Sequence, residues 1–207
     1  MPLAADIYYA AAGRNHTARP AVVLIHGAGG SHLDWPGELR RIPGWCVYTL
    51  DLPGHGKSSG PGERTIAGYA RRVLAWLDGL GLERAIVIGH SMGGAIGLSL
   101  ALEAPQRLAG LGLLGSGARL RVVPAILESA ADPAAAGRAI EALAGRFYPP
   151  DCPPEARLLS IQRLAQTRPE VLHGDLLACD QFDVRPRLAE VQAPTLVVCG
   201  SLDELTP

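Results

Sequence analysis

Short apolar runs alternate along the chain with longer stretches in which apolar positions recur every three or four residues. That is the pattern of an α/β protein with a mostly parallel sheet. Asp6–Ala10 predicts a short early strand. Ala21–Ile25 has no polar residue and predicts a strand buried on both faces. Trp45–Leu50, Ala85–Ile88, Leu108–Leu114 and Thr195–Cys199 are the further strands. Thr65 is placed to cap a helix whose apolar positions Ile66, Tyr69, Ala70, Val73, Leu74, Leu77 and Leu80 share one face, and Gly79 and Gly81 end it. Met92–Leu102, stopped by Pro105, is apolar on nearly every side and predicts a central helix.

Between Leu120 and Arg185 the strand rhythm stops. Roughly 65 residues stand where a crossover needs about a dozen. They are rich in alanine and carry prolines at 124, 133, 149, 150, 153, 154 and 169. Asp132-Pro133 is a favourable helix start, an N-cap followed by proline. The expectation is a set of short helices inserted as a cap. The core then comprises residues 1–119 and 186–207, and the helical cap residues 120–185.

Composition narrows the class. The chain has 207 residues, 48% hydrophobic and 19% charged, enough for one globular core with an insertion. The formal net charge of -1 argues against a nucleic-acid partner, and Lys57 is the single lysine. Cys46, Cys152, Cys179 and Cys199 lack zinc-site spacing and are expected as free thiols in a reducing cytoplasm. No basic segment leads into an apolar run at the N-terminus, and no apolar stretch reaches the ~18 residues that span a bilayer. A membrane partner is therefore not expected, and the oligomeric state stays open.

The candidate chemistry centres on Gly89-His90-Ser91-Met92-Gly93, a Gly-x-Ser-x-Gly pattern. With 25 glycines in the chain the pattern needs context, because Gly56-Lys57-Ser58-Ser59-Gly60 matches it too. A nucleophile elbow requires a strand directly before the serine, a helix directly after it, and small neighbours around a strained turn. Ser91 has all three. Ser58 lies in a loop that runs into Gly-Pro-Gly. His26-Gly27-Ala28-Gly29-Gly30 follows the buried strand, where a flexible turn can aim a backbone N–H at a developing oxyanion. His26 is expected to hydrogen-bond inside that loop. Gly56-Lys57-Ser58 is not the end of a P-loop, since Asp51 stands where its glycine belongs. Gly110-Leu111-Gly112-Leu113-Leu114-Gly115 lies inside a predicted strand and does not open a helix, so it is not a dinucleotide fingerprint.

Tyr8-Tyr9, His26-Gly27, Asp51-Leu52-Pro53-Gly54-His55-Gly56-Lys57-Ser58, Gly89-His90-Ser91-Met92-Gly93-Gly94 and Pro194 to Asp203 occur in that order. In this the chain resembles the α/β-hydrolase superfamily, in its capped, esterase-like branch. The resemblance covers everything outside the cap. It implies a three-layer α/β sandwich and no metal or organic cofactor. It implies Ser91 as the nucleophile that attacks an acyl carbon, Ala28 and Met92 as the oxyanion N–H donors, and Asp203 as the acid that orients a histidine. Glu204 beside it fits the spacing less well. The six histidines are 16, 26, 32, 55, 90 and 173, and none follows Asp203. The expectation is a truncated hydrolase lacking the last strand and helix, nearly inactive by itself. The implied reaction is hydrolysis of a carboxylic ester or related small acyl substrate through an acyl-enzyme. Carbon–carbon bond hydrolysis, acyl transfer and a non-catalytic ligand-binding role remain open.

Overall fold

The computed structural model describes residues 2–14, 19–149, 151–203 and 205–206. Seven strands form one sheet: β1 (Leu3–Ala4), β2 (Ile7–Ala12), β3 (Ala21–Ile25), β4 (Val47–Asp51), β5 (Ala85–His90), β6 (Leu108–Leu114) and β7 (Thr195–Val198). Their order across the sheet is β1-β2-β4-β3-β5-β6-β7. β2 pairs antiparallel with both β1 and β4, and all pairings from β4 through β7 are parallel.

Four strands differ in their limits from the sequence pattern. The early strand shifts from Asp6–Ala10 to Ile7–Ala12, because Asp6 has φ +63° and Ala11 and Ala12 still pair with β4, and the last strand ends at Val198 and not at Cys199. The expected start at Trp45 moves to Val47 because the Trp45 N–H donates to the Ile42 carbonyl in a turn (3.2 Å). β5 continues past Ile88 to His90 because β6 keeps pairing with it, His90 opposite Leu114.

Helix α1 (Ile66–Gly79) begins where the Thr65 side chain accepts the Gly68 N–H (3.0 Å). Gly81, at φ +63°, lies just beyond its end. Helix α2 (Met92–Glu103) is buried from Met92 through Leu102, as its all-round apolar sequence demands. Both helices cover the sheet face carrying Val23, Ile25, Ala85 and Val87. The other face has a thinner cover. There Val22, Leu24 and Val47 pack with Trp35, Leu39 and Ile42, while Ile86, Ile88 and Leu114 are only partly buried.

Four helices lie between β6 and β7: α3 (Pro124–Ala131), α4 (Ala136–Ala144), α5 (Pro154–Leu164) and α6 (Pro169–Asp180). Three of them begin with proline, whose missing N–H is no loss in a first turn. Asp132-Pro133 does not start an α-helix directly. Asp132 accepts the Ala134 N–H on its side chain (2.9 Å) and the Ala135 N–H on its carbonyl (2.8 Å), closing a turn before α4 begins at Ala136. The four helices share a small core of their own around Ile126, Ile140, Leu143, Leu164, Leu172 and Leu176. Helix α6 serves both cores, because its Ala178 and Cys179 belong to the main one.

Candidate active site

Parallel pairing brings the candidate residues to one end of the sheet. Ile25 of β3 lies opposite Gly89 of β5, so the turns that follow these strands leave side by side. Leu114 of β6 lies opposite Val198 of β7, so the Asp203 loop leaves at the same end. The carboxyl ends of parallel strands are where open α/β sheets bind ligands.

Ser91 has φ +51° and ψ −118°, a region that a residue with a Cβ occupies at a cost of about 1–3 kcal/mol. The surroundings hold it there. Its N–H donates to the Leu114 carbonyl (3.0 Å), and its carbonyl accepts the Ser116 hydroxyl (2.7 Å) and the Gly94 N–H (2.9 Å). A methyl on Gly89 would overlap the Gly93 carbonyl, and one on Gly93 would overlap the Ile25 carbonyl. The expected small neighbours are therefore a steric necessity. Met92 opens α2, so its N–H belongs to the unpaired first turn of a helix.

The turn after β3 closes when the Gly30 N–H donates to the Gly27 carbonyl (3.1 Å), which leaves Ala28 and Gly29 at its centre. A methyl on Gly27 would lie 3.3 Å from Ser91 Cβ and 3.1 Å from His90 Nδ1. The turn thus rests against the elbow. Among the described residues the Ala28 N–H has no hydrogen-bond partner.

Two buried histidines flank this turn, their ring centres 4.8 Å apart. His26 Nδ1 faces the Gly27 carbonyl (2.7 Å) and must donate, while Nε2 accepts the Leu52 N–H (3.0 Å). One donor and one acceptor make the ring neutral. Burial, with repulsion from His55, accordingly lowers its pKa to about 4. His55 faces an acceptor on each side, the Pro53 carbonyl from Nδ1 (3.0 Å) and Asp175 Oδ2 from Nε2 (2.8 Å). Both nitrogens must donate, so this ring is an imidazolium. Burial opposes the charge, but the carboxylate of Asp175 outweighs it and raises the His55 pKa.

Asp203 accepts the N–H groups of Leu205 and Thr206 on Oδ1 (2.9 Å each) and the Thr206 hydroxyl on Oδ2 (2.8 Å). Burial pushes its pKa up, but these bonds prevail and hold it below the ordinary value. A methyl on Gly115 would lie 3.5 Å from Asp203 Oδ2 and 3.7 Å from His90 Nε2, so the acid loop reaches the elbow there. Ser58 is occupied elsewhere. Its hydroxyl donates to the Asp51 carbonyl (2.5 Å) and accepts the Tyr8 N–H (2.8 Å), tying the loop to β2. Asp51 accepts from the His32 ring and the Lys57 N–H. His16 and Glu204 lie outside the described residues.

The family model described as the alpha/beta hydrolase fold matches residues 20–207. The chain belongs to the α/β-hydrolases. It is 30% identical over 223 residues to the 2-hydroxy-6-oxo-6-phenylhexa-2,4-dienoate hydrolase of Comamonas testosteroni, covering 97% of this chain and 76% of that protein. It is 30% identical over 217 residues to the pimeloyl-[acyl-carrier protein] methyl ester esterase of Pectobacterium carotovorum subsp. carotovorum (strain PC1), covering 98% of this chain and 82% of that protein. Among solved structures, a hydrolase from Pseudomonas aeruginosa PA01 superposes with a TM-score of 0.83 at 30% identity, over 97% of this chain and 78% of that one.

Sequence reasoning did not find one part of this α/β-hydrolase. Asp175, on α6, is fully buried and accepts from Gly29, His55 and Tyr69. A signal was present: Val171, Leu172, Leu176, Ala178 and Cys179 surround it at helical spacing, and an acid amid a buried stripe requires partners.

Proposed function

We propose that this α/β-hydrolase is a serine hydrolase that cleaves a carboxylic ester or related acyl compound through an acyl-enzyme. The observation that carries the reading is the left-handed backbone of Ser91 directly between β5 and α2. That strain lifts a hydroxyl out of the strand end. In this reading Ser91 Oγ attacks the acyl carbon and the carbonyl π pair moves onto oxygen. The N–H groups of Ala28 and Met92 receive that oxyanion. Asp203 orients the histidine that takes the serine proton and delivers it to the leaving group.

His26 and His55 have both ring nitrogens engaged away from Ser91, and His32 is bound to Asp51. These three rings are therefore not placed to serve as the base that Asp203 orients, and the turnover of these 207 residues is expected to be very low. Residues 120–185 act in this reading as a cap. Their apolar cluster packs against Ala28, which favours an apolar acyl group beside the oxyanion. A cytoplasmic location belongs to the same reading, and no helix among the described residues is long and apolar enough to cross a membrane. Carbon–carbon bond hydrolysis is the second reading. It is favoured by the relative from Comamonas testosteroni, which matches as well as the esterase does.

Incubation with a fluorophosphonate probe and mapping of the adduct by mass spectrometry tests the reading. A slow adduct on Ser91 that disappears in Ser91→Ala is expected. Labelling that survives the substitution, or falls on Ser58, overturns it. Comparing an alkyl ester with a vinylogous 1,5-diketone separates the two chemistries.

A further inference from the structure

Gly29 is held through both of its peptide groups by residues of the segment between β6 and β7. Its N–H donates to Asp175 Oδ2 (2.8 Å), and its carbonyl accepts the Thr167 hydroxyl (2.8 Å). Gly29 has φ +65° at the third position of the Gly27–Gly30 turn. Turns of this kind differ from their commoner relatives by a flip of the central peptide, the one whose N–H belongs to Gly29. Glycine leaves both forms accessible. A carboxylate facing that N–H selects one of them, because the flipped form would turn the Ala28 carbonyl oxygen toward negative charge.

Asp175 is itself fixed. Its Oδ2 also receives the His55 imidazolium, and its Oδ1 receives the Tyr69 hydroxyl (2.5 Å). All four groups are buried, and Leu164 and Leu172 close over Gly29. A buried ion pair contributes little to stability compared with an apolar replacement, so its position beside the turn calls for a second role.

We propose that Asp175 is a positioning residue for the oxyanion site: from the helix that also joins the cap to the core, it fixes the Ala28–Gly29 peptide and so anchors the whole Gly27–Gly30 turn against the elbow, which keeps the Ala28 N–H, on the preceding peptide, aimed at the developing oxyanion. The inference rests on the reading of Ser91 as nucleophile. It makes oxyanion stabilisation depend on the seating of α6, so a displacement of the cap helix weakens the site while Ser91 stays in place.

The test compares two ligands on the 207-residue protein. An octyl trifluoromethyl ketone adds Ser91 Oγ to its carbonyl carbon; the hydroxyl proton passes to water and the new oxyanion enters the site, a hemiketal visible by fluorine NMR. The octyl methyl ketone fills the same space without forming the adduct. Asp175→Ala is expected to weaken the trifluoromethyl ketone by about tenfold or more while leaving the methyl ketone within about twofold. Asp175→Asn keeps an oxygen toward Gly29 and should recover most of the loss. Equal weakening of both ketones, or of neither in a folded Asp175→Ala protein, overturns the inference alone. A hemiketal signal that persists in Ser91→Ala overturns the nucleophile reading and the inference with it. If Asp175→Ala does not fold, Thr167→Val decides. It releases the Gly29 carbonyl and should weaken the trifluoromethyl ketone selectively, by about threefold; no change counts against the lock.

Discussion

The elbow at Ser91 and the turn at Ala28 stand side by side at one end of the sheet, yet they are held in opposite ways. The elbow is held within the sheet core, by bonds from its backbone to Leu114 and Ser116 and by glycines that leave no room for a methyl group against Gly93 and Ile25. The turn is held by a hydrogen bond donated to Asp175 and one accepted from Thr167, 146 and 138 residues away in sequence. Close backbone packing between neighbouring core strands keeps the elbow in a strained state. The turn depends on a tertiary contact that forms only when the later helices dock. A reactive geometry can therefore be half built into the sheet core and half dependent on helices that pack over it.

Gly93→Ala should break the comparison most severely. The added methyl overlaps the Ile25 carbonyl and comes within 2.7 Å of the His26 carbonyl, both of them backbone. A loss of more than about 4 kcal/mol is expected, enough to abolish a cooperative urea transition. Gly60→Ala is the control. Gly60 has φ +81° with nothing within 4 Å, so only about 1 kcal/mol should be lost there.

Acid tests the histidines around the turn next. The His26 pKa falls from 6.5 unfolded to about 4 folded, so between those values the unfolded chain binds more protons. Stability should fall as pH drops through that window, by on the order of 3 kcal/mol in total. His55 works the other way. Its folded pKa is raised, so its contribution is complete below about 6.5 and is lost as pH climbs through the raised value. Urea midpoints at pH 7, 5.5 and 4.5 measure the acid limb, and His26→Asn should flatten it.

Ser58→Ala sharpens the contrast between the two serine motifs. It removes the hydroxyl shared by the Asp51 carbonyl and the Tyr8 N–H, at a cost of about 2 kcal/mol in urea unfolding. The fluorophosphonate labelling rate at Ser91 should not change.

The smallest effect has the opposite sign. Ser91→Gly relieves the left-handed strain and should raise stability by about 1 kcal/mol, whereas Ser91→Ala keeps the strain and should change it little. Equal stability of the two variants would mean that the elbow stores no strain.

Much of the architecture is legible in the sequence alone, because it depends on neighbours along the chain. The apolar run Ala21–Ile25, the Thr65 cap and the all-apolar α2 are short-range signals, and each produced the expected element. The ends of β4 and β5 were less legible, since turn bonding and pairing with other strands set them. Gly89 could be read as a small neighbour of a strained serine, because the clash it avoids is with Gly93 and Gly94 just along the chain, whereas the clash that Gly93 avoids is with the distant Ile25 and His26 carbonyls. The state of the two histidines could not be read this way. His26 and His55 come from similar glycine-flanked segments, but one ring is neutral and the other charged, according to whether a distant N–H or a distant carboxylate meets the second nitrogen. The partner of Gly29 was equally hidden. Spacing within a helix identifies a buried acid, but only the packing of α6 against the β3 turn says which donors satisfy it, because hydrogen bonds are short-ranged and directional while the residues that make them can lie anywhere in the chain.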